Sequence, residues 1–116
     1  LDGSSVWIKK FQGSLKEGKD MIIVTAKIRA KNGERNNIIA KSQDIIKFSR
    51  LDQGNISYNL YADTGDNDLL VMLEQWESSE LLEAHMQTEH FKAFGEAIKD
   101  IVAEEMDIGV YSAEEV

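Results

Sequence analysis

The sequence predicts an α+β fold: a ferredoxin-like βαββαβ domain with a split second helix and a four-stranded antiparallel sheet. Three observations carry that expectation. Four short stretches, some alternating at period two and some β-branched or apolar throughout, mark strands. Stripes at helical spacing separate them in the order strand, helix, strand, strand, helix, strand, the pattern of helices gathered on one face of an antiparallel sheet. The stretch Leu69-Leu-Val-Met-Leu-Glu-Gln-Trp76 is apolar on both faces, so it needs a layer above and a layer below. A chain of 116 residues can supply one of those layers. The other is expected from the sheet of a second copy, making a homodimer.

Taken in order, Met21 to Ala30 (MIIVTAKIRA) is rich in β-branched residues and reads as the first strand. Ile22, Val24, Ala26 and Ile28 share one face; Ile23, Thr25, Lys27 and Arg29 share the other. Lys31-Asn32-Gly33 breaks the strand, and Asn32 is placed to cap a helix from Glu34 to about Ser49 whose stripe is Ile38, Ser42, Ile45 and Ile46. After the turn Asp52-Gln53-Gly54, Asn55 to Tyr61 alternates, with Ile56, Tyr58 and Leu60 on one face. A polar loop at 63–67 joins it as a hairpin to the strand at 68–77, on which Leu70, Met72, Glu74 and Trp76 point one way. Ser78 and Ser79 are candidate caps for a helix through Gln87, with Leu81, Leu82, Ala84 and His85 on its apolar face. Thr88 caps a second helix expected to reach about Glu105, burying Phe91, Phe94, Ile98, Ile101 and Val102. Met106 to Tyr111 is the last strand.

Composition narrows the function. The chain makes one domain with an ordinary globular balance, 42% hydrophobic and 29% charged residues. A net charge of -8 argues against nucleic acid or an anionic membrane surface as a partner, since both call for clustered Lys and Arg. The absence of cysteine removes disulfides, thiolate catalysis and Cys-ligated metal, and fits a cytoplasmic setting. No apolar run approaches a membrane span. Residues 1–20 differ from the rest: Leu1, Gly3-Ser4-Ser5 and Gly13-Ser14 read as a vector-derived leader, and Met21 opens directly into a strand. The rival reading is a native extension that docks through Val6, Trp7, Ile8 and Phe11.

No dinucleotide or phosphate-loop fingerprint occurs, and no cofactor or metal is expected. His85 and His90 stand five apart with a helix break between them, which is not a usual ligand spacing. Chemistry would then rest on an apolar pocket and one or two polar groups. His85 lies on the Leu81/Leu82 face, where a core histidine bonded to backbone is the plain alternative to a base. His90 falls in the first turn after Thr88, where the helix dipole disfavours a positive imidazole; beside Phe91 and Phe94 it could take a proton from an aromatic substrate. Glu74 faces an apolar layer and so needs a partner or a function. Trp76, Tyr58 and Met72 share that region, as core or as substrate contacts.

The run Val71-Met-Leu-Glu-Gln-Trp-Glu-Ser78, followed by Leu82-Glu-Ala-His-Met-Gln-Thr-Glu-His-Phe-Lys-Ala-Phe94, resembles the antibiotic-biosynthesis monooxygenase family. Within it the chain looks most like the small bacterial quinol monooxygenases. The likeness spans about residues 21–112 and includes the opening strand and the turn at Gln53-Gly54-Asn55. It implies a ferredoxin-like dimer forming an α/β barrel. It also implies oxygenation of quinol-type or polycyclic aromatics by dioxygen without metal, flavin or haem. The resemblance carries over His90 and His85 as catalytic candidates and Trp76 and Glu74 as substrate-binding ones; the reading of the residues themselves adds Tyr58, Met72, Phe91 and Phe94 as substrate contacts. Haem-degrading relatives carry a histidine after F-K-A, where this chain has Phe94-Gly95, so that activity is not expected. The other readings are an isomerase-like enzyme on a small signalling metabolite and a dimeric binding module without turnover.

Overall fold

The computed structural model describes residues 21–116, so the expected leader at 1–20 lies outside the described residues. The chain runs β1 (Met21–Arg29), α1 (Arg35–Lys41), α2 (Gln43–Ser49), β2 (Asn55–Ala62), β3 (Leu69–Trp76), α3 (Ser79–Met86), α4 (Glu89–Ile98) and β4 (Asp107–Ala113). The strands form one sheet in the order β2-β3-β1-β4, antiparallel throughout. This is the ferredoxin-like α+β arrangement that the alternation predicts.

Register explains the core. Val24, Ala26 and Ile28 on β1 stand opposite Glu74, Met72 and Leu70 on β3, and Tyr58 on β2 also faces Glu74. Directly paired residues share a face, so these side chains form one layer. The helices close over it with Ile38, Ile45, Leu82, Phe94 and Ile98. Leu69, Val71, Leu73 and Gln75, on the opposite face of β3, are only half-buried. On β4, Ile108 pairs with Ala26 and Val110 with Val24. They face the helices, yet remain 52% and 55% exposed, because the helical layer stops short of this edge.

Four local expectations are corrected. Asn32 does not cap the first helix; it sits in a turn with Gly33, whose φ is +85°, and Glu34 takes the cap position. The helix is broken at Ser42, whose hydroxyl donates to the Ile39 carbonyl at 2.7 Å while the Gln43 amide donates to the same oxygen at 2.9 Å. Such side-chain donors compete with the helical ladder and bend it. Ile56 does not join the Tyr58 and Leu60 face: a bulge between Asn55 and Ser57 leaves it unpaired and 48% exposed. The last helix stops at Ile98, short of Glu105. The chain there straightens along the end of β1, with Lys31 N–H donating to Ile101 O and Ala103 N–H to Arg29 O.

The turn after α2 is fitted tightly to α3. Gly54 has φ +84°, and a Cβ there would lie 2.8 Å from Leu81 Cβ. Its carbonyl accepts from Glu77 N–H at 2.8 Å. Gly54→Ala should therefore combine backbone strain with overpacking, each about 1–3 kcal/mol. The expected result is a lower urea midpoint, with at least about 2 kcal/mol lost. An unchanged midpoint would show that the turn is free to shift.

Candidate active site

The junction between α3 and α4 positions the two histidines. Ser78 caps α3 by accepting from Leu81 N–H, and Thr88 caps α4 by accepting from Phe91 N–H, each at 3.2 Å. Thr88 Oγ1 also donates to the His85 carbonyl at 2.7 Å. One hydroxyl thus fixes the last turn of one helix to the first turn of the next. Across from them, Asp52 lies in the turn after α2, held by its N–H to Ser49 O and by Asn55 N–H to its own carbonyl.

His85 Nδ1 and His90 Nε2 each lie 2.8 Å from the same atom, Asp52 Oδ2. An ionised carboxylate only accepts hydrogen bonds, so both rings present N–H to it. For His85 this selects the Nδ1–H tautomer and leaves a lone pair on Nε2. That atom is buried without a hydrogen-bond partner among the described residues. The ring is boxed by aromatics, with centroids 4.5 Å from Trp76, 5.3 Å from Phe91 and 5.6 Å from Tyr58. Burial holds the His85 pKa below its ordinary value, against the opposing pull of Asp52.

Beneath the helices lies a cavity of about 70 Å³ whose wall includes Tyr58, Met72, Glu74, His85, Phe91 and Phe94. Six of the eight residues expected at the site meet there. The other two do not: Trp76 and His90 are absent from the wall. Trp76 is fully buried behind it, and its indole N–H donates to Glu74 Oε1 at 3.0 Å. Burial pushes the Glu74 carboxyl up to about 7, against the Trp76 bond, which favours the anion. Burial likewise raises the Tyr58 hydroxyl, with the nearby Glu74 carboxylate adding to the effect. Met86, Ile108 and Val110, all partly or largely exposed, form the rim.

Asp52 was not among the expected site residues. In sequence it is only the acidic first residue of a turn, 33 and 38 positions from its partners, and no spacing rule connects them. The exposed rim on β4 was equally hidden, because the sequence marks Met106 to Tyr111 only as a strand and gives Ile108 and Val110 no face.

Residues 21–97 match the family model described as antibiotic biosynthesis monooxygenase. The chain belongs to the antibiotic biosynthesis monooxygenase family. It is 35% identical over 94 residues to a protein of Escherichia coli K12 named "Probable quinol monooxygenase YgiN", covering 72% of this chain and 90% of that one. YcnE of Bacillus subtilis, which also bears a monooxygenase name, is 30% identical over 88 residues, with 76% and 93% covered. Among solved structures, Rv0793 of Mycobacterium tuberculosis superposes with a TM-score of 0.77 at 20% identity, covering 83% of this chain and 97% of its own. That likeness is one of fold. Among the described residues, no helix is long and apolar enough to cross a membrane.

The buried Glu74 gives a pH test. Its folded pKa of about 7 lies above the ordinary 4.5, so the folded state holds a proton that the unfolded chain releases. The contribution to stability is complete below pH ~4.5 and is lost as pH rises through ~7. Relative to Glu74→Gln, the native protein should lose about 2–3 kcal/mol between pH 5 and pH 8. Parallel stability curves from urea titrations of the two proteins would contradict this.

Proposed function

We propose that the protein is a cofactor-independent monooxygenase acting on quinol-type or polycyclic aromatic substrates, with His85 as the base. The observation that carries this reading is the Asp52–His85 pair. Asp52 occupies Nδ1, and the ring forms part of an apolar wall with Nε2 unpartnered among the described residues. Of the two histidines His85 is the one in that wall, so His90 acts at one remove by helping to hold Asp52.

In this mechanism Nε2 takes a proton from a substrate hydroxyl, and Asp52 stabilises the imidazolium that forms. The phenolate is electron-rich enough to pass an electron to dioxygen. One oxygen atom is inserted into the ring and the other leaves as water. The substrate supplies every electron, as when a quinol and dioxygen give a hydroxyquinone and water. Glu74, oriented by Trp76, offers a second polar contact for a dihydroxy ring. Tyr58, Met72, Phe91 and Phe94 exclude water from the intermediate. A cavity of about 70 Å³ falls short of the roughly 300–1,000 Å³ of a drug-sized pocket. One ring edge would enter, and the remainder would rest on the rim of Met86, Ile108 and Val110. Among the described residues the wall carries no Lys or Arg, which weighs against an anionic metabolite as substrate.

The assay is oxygen uptake with a panel of hydroquinones and anthrones, in chelator and without added flavin. A placed base contributes about 10²–10⁴ in rate, so His85→Gln should lose about that much while keeping its circular dichroism spectrum. No enzyme-dependent uptake across the panel would overturn the reading; full activity in the folded variant would overturn the assignment. We further propose a homodimer through the half-buried face of β3, burying at least ~1,200 Å² in total. Light scattering should give twice the chain mass at micromolar concentration, and a monomer would refute it.

A further inference from the structure

We propose that Asp52, His85 and His90 form a binding site for a divalent transition-metal ion of the zinc class, and that occupation switches the base off. Asp52 Oδ2, His85 Nδ1 and His90 Nε2 all lie within 4.8 Å of one another, and both nitrogens stand 2.8 Å from the oxygen. Zinc holds nitrogen and oxygen ligands at about 2.0–2.2 Å, which puts neighbouring ligand atoms roughly 3.0–3.4 Å apart. Each oxygen–nitrogen distance therefore needs to lengthen by only about half an ångström, with the two nitrogens adjusting within their 4.8 Å limit, for an ion to replace the shared protons. Two imidazoles and a carboxylate favour zinc, nickel, copper or iron over magnesium and calcium.

The supports are in place. The turn at 49–55 fixes Asp52, and the Thr88 hydroxyl locks the two histidines across the helix junction. The side chains of Asp52 and His90 are 18% and 17% exposed, which gives an ion a way in, whereas His85 is enclosed. A neighbouring cleft of about 90 Å³, lined by Asp52, Gln53, Leu81, Ala84, His85 and Thr88, has room for water ligands.

Location decides what the ion would do. Asp52 and His90 are not part of the apolar cavity's wall, whereas His85 both lines that wall and binds Asp52. An ion there cannot touch a substrate in the cavity, so it is not placed to activate dioxygen on that substrate. Its effect passes through the ring. Coordination occupies the Nδ1 lone pair and moves the ring proton to Nε2. The nitrogen left for the substrate then donates a hydrogen bond and can no longer accept a proton. The consequence for activity rests on the proposed function; the site and the tautomer change do not.

The test uses chelator-treated protein. Calorimetric titration with zinc should show one saturable site per chain in the micromolar range or tighter. His90→Ala and Asp52→Asn should each weaken it by more than about tenfold, the least that even an outer-shell partner of a metal site contributes. Ring ¹⁵N shifts of His85 should report Nδ1–H without metal and Nε2–H with zinc, a readout that needs no turnover. Oxygen uptake on a hydroquinone should fall in step with zinc occupancy and return with chelator. No saturable binding, binding undiminished in both variants, or an unmoved His85 tautomer would overturn the site. Full uptake by zinc-saturated protein would overturn the switch. Absence of uptake in metal-free protein would instead strike the proposed function, and calorimetry and NMR would still decide the site.

Discussion

Tyr58, Glu74 and His85 are polar side chains buried beside a largely apolar cavity, and the site depends on how each is tolerated there. A buried polar group left unsatisfied costs roughly 1–3 kcal/mol. Glu74 is eased by the Trp76 indole and by holding a proton more tightly. Tyr58 is eased by staying neutral. Among the described residues His85 is satisfied at one nitrogen only, through a carboxylate delivered from a turn more than thirty residues earlier. The unsatisfied second nitrogen is the kind of local cost that folds retain where chemistry is done.

The same economy explains the architecture around it. Asp52 reaches the histidines because Gly54 lets the following strand turn away directly over Leu81, where a Cβ would collide. The bulge at Ile56 then returns β2 to register, so that Tyr58 faces Glu74. The helix break at Thr88 lets residues 85 and 90 approach one oxygen atom. Each is a departure from regular secondary structure, and together they bring the polar groups into reach.

That contrast sets how far the sequence could be read. The strands, their order and their buried faces were legible because alternation depends only on which residues meet water. The caps Ser78 and Thr88 were legible because capping is local chemistry. The family was legible in the E-Q-W-E and A-H…T-x-H blocks. The bulge was not, since Ile56 continues the alternation correctly and only pairing with β3 displaces it. The early end of α4 was not, because Ile101 and Val102 keep helical spacing while serving as partners for the end of β1. Asp52 was not, because a long-range hydrogen bond leaves no period in the sequence.

The uncovered edge at β4 has a consequence of another kind. The groups proposed for the chemistry sit in the innermost packing, where a change of size or shape costs stability. Ile108 and Val110 touch the same cavity from an edge strand on which they stay half exposed, so exchanging them sacrifices little cohesion. Over evolutionary time such a division lets the reaction stay fixed while the range of molecules admitted drifts, one rim residue after another.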